Sequence, residues 1–396
     1  MATDQTLAEV DRGVNNPSFI SNGITVRNTL NDNASGQTLV GWFWNAGDNS
    51  SKTFTVKVVS DSGNKYRFDD FGTSAVTLDL EEGSTYVFDQ SDSSNSGHPL
   101  RFSTTSDGTH NSGSEYTTGV TTTGTPGSAG AKTTIVVAAS APTLYYYCSA
   151  HSGMGGQANT NDTAGASNFA GSTKSTVRAN AEAGFSIVSY TGSGANATIG
   201  HGLGVAPSMV IVKNRDASTD WSVYAQPAID QYGAAYAVFL QAQSGAGSYA
   251  GVFNSTAPTS TVFSVGTSSS TNSNTKDYIA YCFSNVNSYL KIGKYTGNGS
   301  TNGTFIYTGF RPAFVMTKRI DSTGSWYIFD STRATFNEAE PYSLANAGNT
   351  EATDLGWDLL SNGFKHRTSY IEQNAWSGIY MYMAFAETPF KYANAR

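Results

Sequence analysis

Thr53-Phe54-Thr55-Val56-Lys57-Val58-Val59 decides the fold class. Phe54, Val56 and Val58 fall on one side of an extended chain and Thr53, Thr55 and Lys57 on the other. That period of two marks a strand with one buried face. The alternation returns in Val76, Leu78 and Leu80, in Tyr86 and Phe88, in Leu100 and Phe102, in Thr134–Val137 and in Leu144–Cys148. Turn residues such as Glu81-Glu82-Gly83-Ser84 separate these runs, and residues 103–132 read as a long Ser/Thr/Gly-rich loop. Residues 50–157 are therefore expected to form an antiparallel β-sandwich of ordinary domain size.

The whole chain shares this character. Its 396 residues exceed what one small core organises; aromatic residues make up 12% and charged residues 13%, the profile of an all-β protein with many turns. The net charge of -7 and the absence of a basic run argue against a nucleic-acid partner. Two cysteines, Cys148 and Cys282, are too few for a disulfide scaffold. No apolar run is long enough to span a bilayer, so membrane insertion is not expected. Met1–Leu7 has neither the basic nor the apolar region of a secretory signal.

N-terminal to the sandwich, residues 1–49 read as an irregular attachment segment. Thr6–Val10 could form a helical turn, and Ile24–Val26 and Thr38–Trp44 could form strands. The aromatic run Gly41-Trp42-Phe43-Trp44-Asn45-Ala46-Gly47 is expected to be a strand packed on a neighbouring domain. Residues 158–183, rich in Asn, Ala, Gly, Ser and Thr, read as a linker.

From Gly184 the chain repeats itself. Phe185–Thr191, Gly204–Arg215 and Trp221–Tyr224 reappear in order as Leu290–Thr296, Phe310–Arg319 and Trp326–Phe329. Tyr278–Phe283 likewise reappears as Tyr380–Phe385. A period near 100 residues is too long for a solenoid unit and fits a duplicated β-domain, 184–288 and 289–396. With no free linker between them, the copies are expected to pack directly together.

Chemistry concentrates in Leu144-Tyr145-Tyr146-Tyr147-Cys148-Ser149-Ala150-His151-Ser152-Gly153-Met154-Gly155-Gly156, a strand running into a tight loop. Cys148 and His151 offer a thiolate and an imidazole, Met154 a weak thioether, and His98 in Ser96-Gly97-His98-Pro99-Leu100 an upstream imidazole. The order His, long gap, Cys, His, Met is that of a mononuclear blue-copper site. Zinc fits less well because Met is a poor zinc ligand, and no oxyanion-hole motif supports a Cys–His hydrolase. The bland alternative is a buried core Cys148 beside an exposed loop His151. His110 reads as an exposed bystander and His201 as a turn residue. Asp216, Asp220, Asp321 and Asp330 lack calcium-loop spacing. Trp221, Trp326, Trp357 and Trp376 could be sugar platforms but mostly read as packing residues.

The runs Gly97–Ser103, Gly127–Thr134 and Tyr145–Gly156 resemble a cupredoxin-like module of virion proteins from phages of marine bacteria, notably cyanobacteria. The duplicated Phe185–Tyr190, Gly200–Arg215 and Ala384–Phe390 segments are similar to tail-fibre-like or particle-surface proteins of the same phages, in which a run like Gly41–Gly47 often ends a preceding repeat. The resemblance maps His98, Cys148, His151 and Met154 onto copper ligands. It implies a non-enzymatic virion structural protein, made in the host cytoplasm, which would explain the lack of a signal. Tail fibre or adhesin is the first placement and capsid-surface decoration or cement the second. A copper redox protein is the competing class. Expected partners are other virion proteins, further copies of the chain (trimers, as for fibres) and a host surface glycan or protein.

Overall fold

The computed structural model describes residues 5–9, 18–20, 23–25, 40–47, 50–160 and 165–388. It is all-β with a few short helices. The expected strand at Ile24–Val26 lies partly within the described residues: Gly23–Thr25 pairs with Ser18–Ile20 as a small hairpin. Val26, Val10, Thr38, Pro389 and Phe390 lie outside the described residues.

Residues 52–159 form a two-sheet sandwich. One sheet has five strands, in which Lys52–Ser60 pairs antiparallel with Asn64–Phe68 and parallel with Thr85–Asp89. The other has four, with Leu144–Cys148 flanked by Leu100–Ser103 and Gly156–Asn159. The alternation does what it promised: Phe54, Val56, Phe88, Leu100, Phe102, Leu144 and Tyr146 are buried in one apolar cluster. The long loop 103–132 is less irregular than its composition suggested. It carries a 3-10 turn, Gly108–Asn111, and an edge strand, Val120–Thr123, whose polar side chains leave no apolar signature.

Each repeat contains a five-strand core of the same connectivity. In the first the order is Phe185–Thr191, Asp277–Phe283, Met209–Asn214, Ser222–Ala225, Tyr236–Phe239; in the second it is Leu290–Thr296, Ile379–Ala386, Pro312–Arg319, Trp326–Asp330, Tyr342–Leu344. Equivalent faces of the two sheets meet. Met209, Ile211, Trp221, Val223 and Phe283 share one core with their counterparts Phe314, Met316, Trp326, Ile328 and Phe385. The opposite faces are covered separately: the first repeat by the Ala197–Gly200 and Val262–Val265 pair, the second by a three-stranded sheet.

Three sequence expectations need correction. The 158–183 segment is not a linker. Gly156–Asn159 belongs to the sandwich, and Ala166–Asn168 and Ser175–Asn180 extend the first repeat's sheet beyond Phe185–Thr191. Phe169 packs into the sandwich core while Val177 packs into the repeat, and ion pairs Lys174–Asp79 at 2.7 Å and Arg178–Glu81 at 2.8 Å tie the two bodies. Small polar strands satisfy their backbone without burying large side chains, so periodicity did not reveal them. Residues 40–47 are not a strand: Trp42 and Trp44 instead insert edge-on against Phe314, with ring centroids 5.8 and 5.6 Å away, and seal the joint core. Residues 5–9 form no helix and dock on the first repeat.

Candidate metal centre

Strand register assembles the site. Cys148 pairs with Leu100 across antiparallel strands, so the chain before Leu100 and the chain after Cys148 emerge at the same end of the sheet. His98 lies two residues before Leu100, and His151 three after Cys148. The Ser149 N–H donates to the Pro99 carbonyl at 3.0 Å and keeps the two loops together beyond the last strand pair.

The donors converge. Cys148 Sγ is 3.8 Å from His98 Nδ1 and 3.8 Å from His151 Nδ1. The two imidazoles lie with centroids 4.6 Å apart and planes inclined by 48°. All three ligand atoms fall within 4.8 Å of one another, and among the described residues no other group of three His, Cys, Asp or Glu side chains does so. Edges of this length suit an ion about 2.0–2.3 Å from each nitrogen and sulfur. Cys148 is fully buried, His98 half-buried and His151 exposed, so the set spans from core to solvent. Met154 is buried in the apolar cluster that also contains Cys148. Burial, and secondarily the neighbouring His151, lower the His98 pKa. That favours the neutral imidazole, the form that ligates.

The surroundings fix these positions. Gln90, buried at the end of its strand, donates to the His98 carbonyl at 2.9 Å and accepts from the Leu100 N–H at 3.1 Å. The Tyr66 hydroxyl also donates to the His98 carbonyl at 2.9 Å. Buried Asn95 anchors the same loop by donating to the Val56 carbonyl at 2.7 Å. On the other side, the Gly153 N–H donates to Asp107 Oδ1 at 2.9 Å, and Lys65 donates to the Gly153 carbonyl. Gly155 must be glycine, because a Cβ there would sit 1.7 Å from the Tyr146 carbonyl oxygen. Gln90, Asn95 and Tyr66 were not singled out from sequence: the first two sit in or beside a Ser/Asn-rich loop and Tyr66 in the strand Asn64–Phe68, and nothing in their spacing distinguishes them.

The remaining candidates do not join the cluster. His110 is exposed, as expected, but its Nε2 lies 2.9 Å from the Cys148 carbonyl and so braces the ligand strand from behind. His201 is buried in a turn, with Nε2 3.1 Å from the Thr259 carbonyl. Asp321 and Asp330 are paired with Arg319 and Arg333, Asp220 accepts from Gln241, and Asp216 accepts from the Asp277 N–H. Trp221, Trp326 and Trp357 are core residues, whereas Trp376 is 80% exposed. Both cysteines are free and buried, so no bridge joins them.

A family model described as a domain of unknown function, DUF7483, matches residues 157–389, well over half of the chain. The chain therefore belongs to that family. The match begins in the last strand of the sandwich and spans both repeats, so His98, Cys148, His151 and Met154 all lie before it. No curated protein and no solved structure matches the chain.

Proposed function

We propose that this member of the DUF7483 family is a non-catalytic display protein whose N-terminal sandwich holds one copper ion. The observation that carries this reading is the convergence of Cys148 Sγ with two imidazole Nδ1 atoms at 3.8 Å, on loops already locked by Gln90, Asn95 and Asp107. The donor chemistry fits. A thiolate and two imidazoles, with Met154 buried in the same apolar cluster as Cys148, suit copper, whereas a structural zinc site would use a fourth strong donor. His98, Cys148 and His151 would hold the ion and Met154 would supply the weak contact. Bound copper supplies one-electron exchange between Cu(I) and Cu(II). The protein's own part is to keep Cys148 buried, to keep His98 neutral and to leave the His151 edge open to solvent.

The test is reconstitution of the full-length chain with Cu(II), followed by elemental analysis and visible absorption. One copper per chain with an intense thiolate-to-copper band is expected. A chain that retains no copper under replete conditions, or retains zinc in preference, overturns the assignment.

A second reading concerns where the protein works. We place it on the surface of a phage particle, as a tail-fibre or adhesin component first and a capsid decoration or cement second, built from more than one copy. Its support is the resemblance of the repeats and their shared core, which makes the tandem body one rigid unit suited to display. Mass spectrometry and imaging of purified particles test it: a fixed stoichiometry on the particle is expected, and absence from purified particles refutes it.

A further inference from the structure

The two repeats align at constant spacing through the turn between Met209–Asn214 and Ser222–Ala225, where Trp221 and its counterpart Trp326 belong to the shared core. Lys213 corresponds to Lys318, Arg215 to Ile320, Thr219 to Gly324 and Trp221 to Trp326. In the second repeat these positions grip a segment of the first. Lys318 Nζ donates to the Gln243 carbonyl at 2.7 Å and also to the Gly324 carbonyl of its own turn. The Ile320 carbonyl accepts from the Ala246 N–H at 2.8 Å, and Trp326 Nε1 donates to the Phe239 carbonyl at 3.0 Å.

The first repeat makes the same contacts with a different partner. Lys213 Nζ donates to the Thr219 carbonyl at 2.8 Å and to the Thr6 carbonyl at 2.8 Å. The Arg215 carbonyl accepts from the Glu9 N–H at 2.7 Å, and Trp221 Nε1 donates to the Gln5 carbonyl at 3.1 Å. In both repeats the gripped carbonyl and the gripped N–H are three residues apart, Gln243 and Ala246 in one, Thr6 and Glu9 in the other. The first repeat adds an ion pair, Arg215 to the Glu9 carboxylate at 2.5 Å, where the second has Ile320.

This is a duplicated acceptor for a chain segment. Because equivalent faces of the repeats meet, a symmetric pair would send a loop each way, as a two-fold interface does. Here only the first repeat's loop crosses. Its counterpart in the second repeat leaves Gly348–Thr350 exposed, and residues 5–9 take the reciprocal place. Recognition runs through main-chain groups and one carboxylate, while Leu7 stays 57% exposed. The segment therefore behaves as a peptide ligand more than as a piece of core. The Thr6 carbonyl gives buried Lys213 a second acceptor beyond its own turn, and a desolvated donor that loses a bond costs stability.

We propose that Lys213, Arg215 and Trp221 form a peptide-docking site whose occupant is the Gln5–Glu9 segment, accepted from a second copy of the chain as well as from its own. Residues 10–39 separate that segment from Val40; with Ser18–Thr25 folded back as a hairpin, residues 10–17 and 26–39 span at most roughly 75 Å, enough to reach a neighbouring copy. Exchange of this segment would link copies without any change in either folded body.

Two full-length variants test the site. Glu9→Arg spoils the segment and leaves the acceptor intact; Arg215→Glu does the reverse. A fluorescent peptide of residues 1–12 is titrated onto the Glu9→Arg chain by anisotropy, up to about 1 mM, the effective concentration a short tether supplies. Saturable binding is expected. It should weaken at least tenfold when Arg215→Glu is added and recover when the peptide itself carries Glu9→Arg. Mixing the two single variants should yield a 1:1 complex that neither forms alone. Matching thermal melts of the variants exclude misfolding as the cause. Absence of saturation, or binding indifferent to Arg215→Glu, overturns the proposal.

Discussion

The sandwich and the second repeat each contain imidazole away from bulk solvent or at its edge, and they use it in opposite ways. His98 and His151 stand at a sheet end, one half-buried and one exposed, each 3.8 Å from a thiol. His366 lies in the second repeat between the rings of Tyr295, Trp357 and Phe364, and neither of its ring nitrogens has a hydrogen-bond partner among the described residues. Burial pushes its pKa down to about 3. The difference shows what gathers the histidines beside Cys148: a shared strand register that brings them to a thiol, not burial or aromatic company. The first repeat has Val265 at the strand position equivalent to His366, so the fold of that domain does not require the imidazole.

The largest effect should fall on the sandwich. Cys148→Ser removes the thiolate and leaves two imidazoles and a thioether. Copper affinity should drop at least about a thousandfold, roughly 4 kcal/mol, and the visible band should vanish. Competition titration with a chromophoric chelator reads this directly. Retained affinity in the variant would mean that Cys148 is only a core residue, and the contrast between the two histidine environments would collapse.

Next comes acid stability, where the second repeat should dominate. The unfolded imidazole has a pKa near 6.5 and the folded one near 3. Above pH 6.5 both states are neutral and His366 adds no pH dependence. Below it the unfolded state binds a proton that the folded state refuses, so stability falls as pH drops. The slope approaches 1.4 kcal/mol per pH unit, about 2 kcal/mol between pH 6.5 and 4.5. His201, lowered first by burial, contributes in the same direction. The His366 part is therefore the difference between wild type and His366→Leu in urea unfolding at several pH values. The variant should lose about one proton's worth of slope; parallel curves would show that His366 is solvated or paired.

What the sequence revealed follows from the same contrast. Alternating large apolar residues, as in Phe54–Val58, report one buried face and were read correctly, and so was the duplication, which the shared core bears out. The Cys148–His151 spacing and the distant His98 were legible because few residue types can act as soft donors. The strands Ala166–Asn168 and Ser175–Asn180 were not legible, because their small polar side chains carry no period. Trp42 and Trp44 announced packing but not its form; a wedge between two sheets has no repeat to read. Buried His366, Gln90 and Gln373 are set by tertiary contacts alone, and no local pattern marks them.

Those two glutamines provide the smallest and most local test. Gln90 in the sandwich is fully buried and engaged at both ends, donating to the His98 carbonyl and accepting from the Leu100 N–H. Gln373 in the second repeat is equally buried, yet its side-chain oxygen accepts from the Thr317 hydroxyl at 3.0 Å while its Nε2 has no partner among the described residues. Methionine substitutes for either with little change in volume. At Gln90 it strands a strand-end N–H and loosens the His98 loop. We expect a cost of about 1–3 kcal/mol in unfolding and a tenfold or greater loss of copper affinity, as for other groups that orient metal ligands. At Gln373 the lost bond is offset by removing a buried unpaired amide, so the cost should stay under about 1 kcal/mol with copper affinity unchanged. Paired urea melts and copper titrations of Gln90→Met and Gln373→Met measure both. Equal costs would mean that the metal-side loop is no more preorganised than the repeat core, and that the convergence of His98, Cys148 and His151 is packing without purpose.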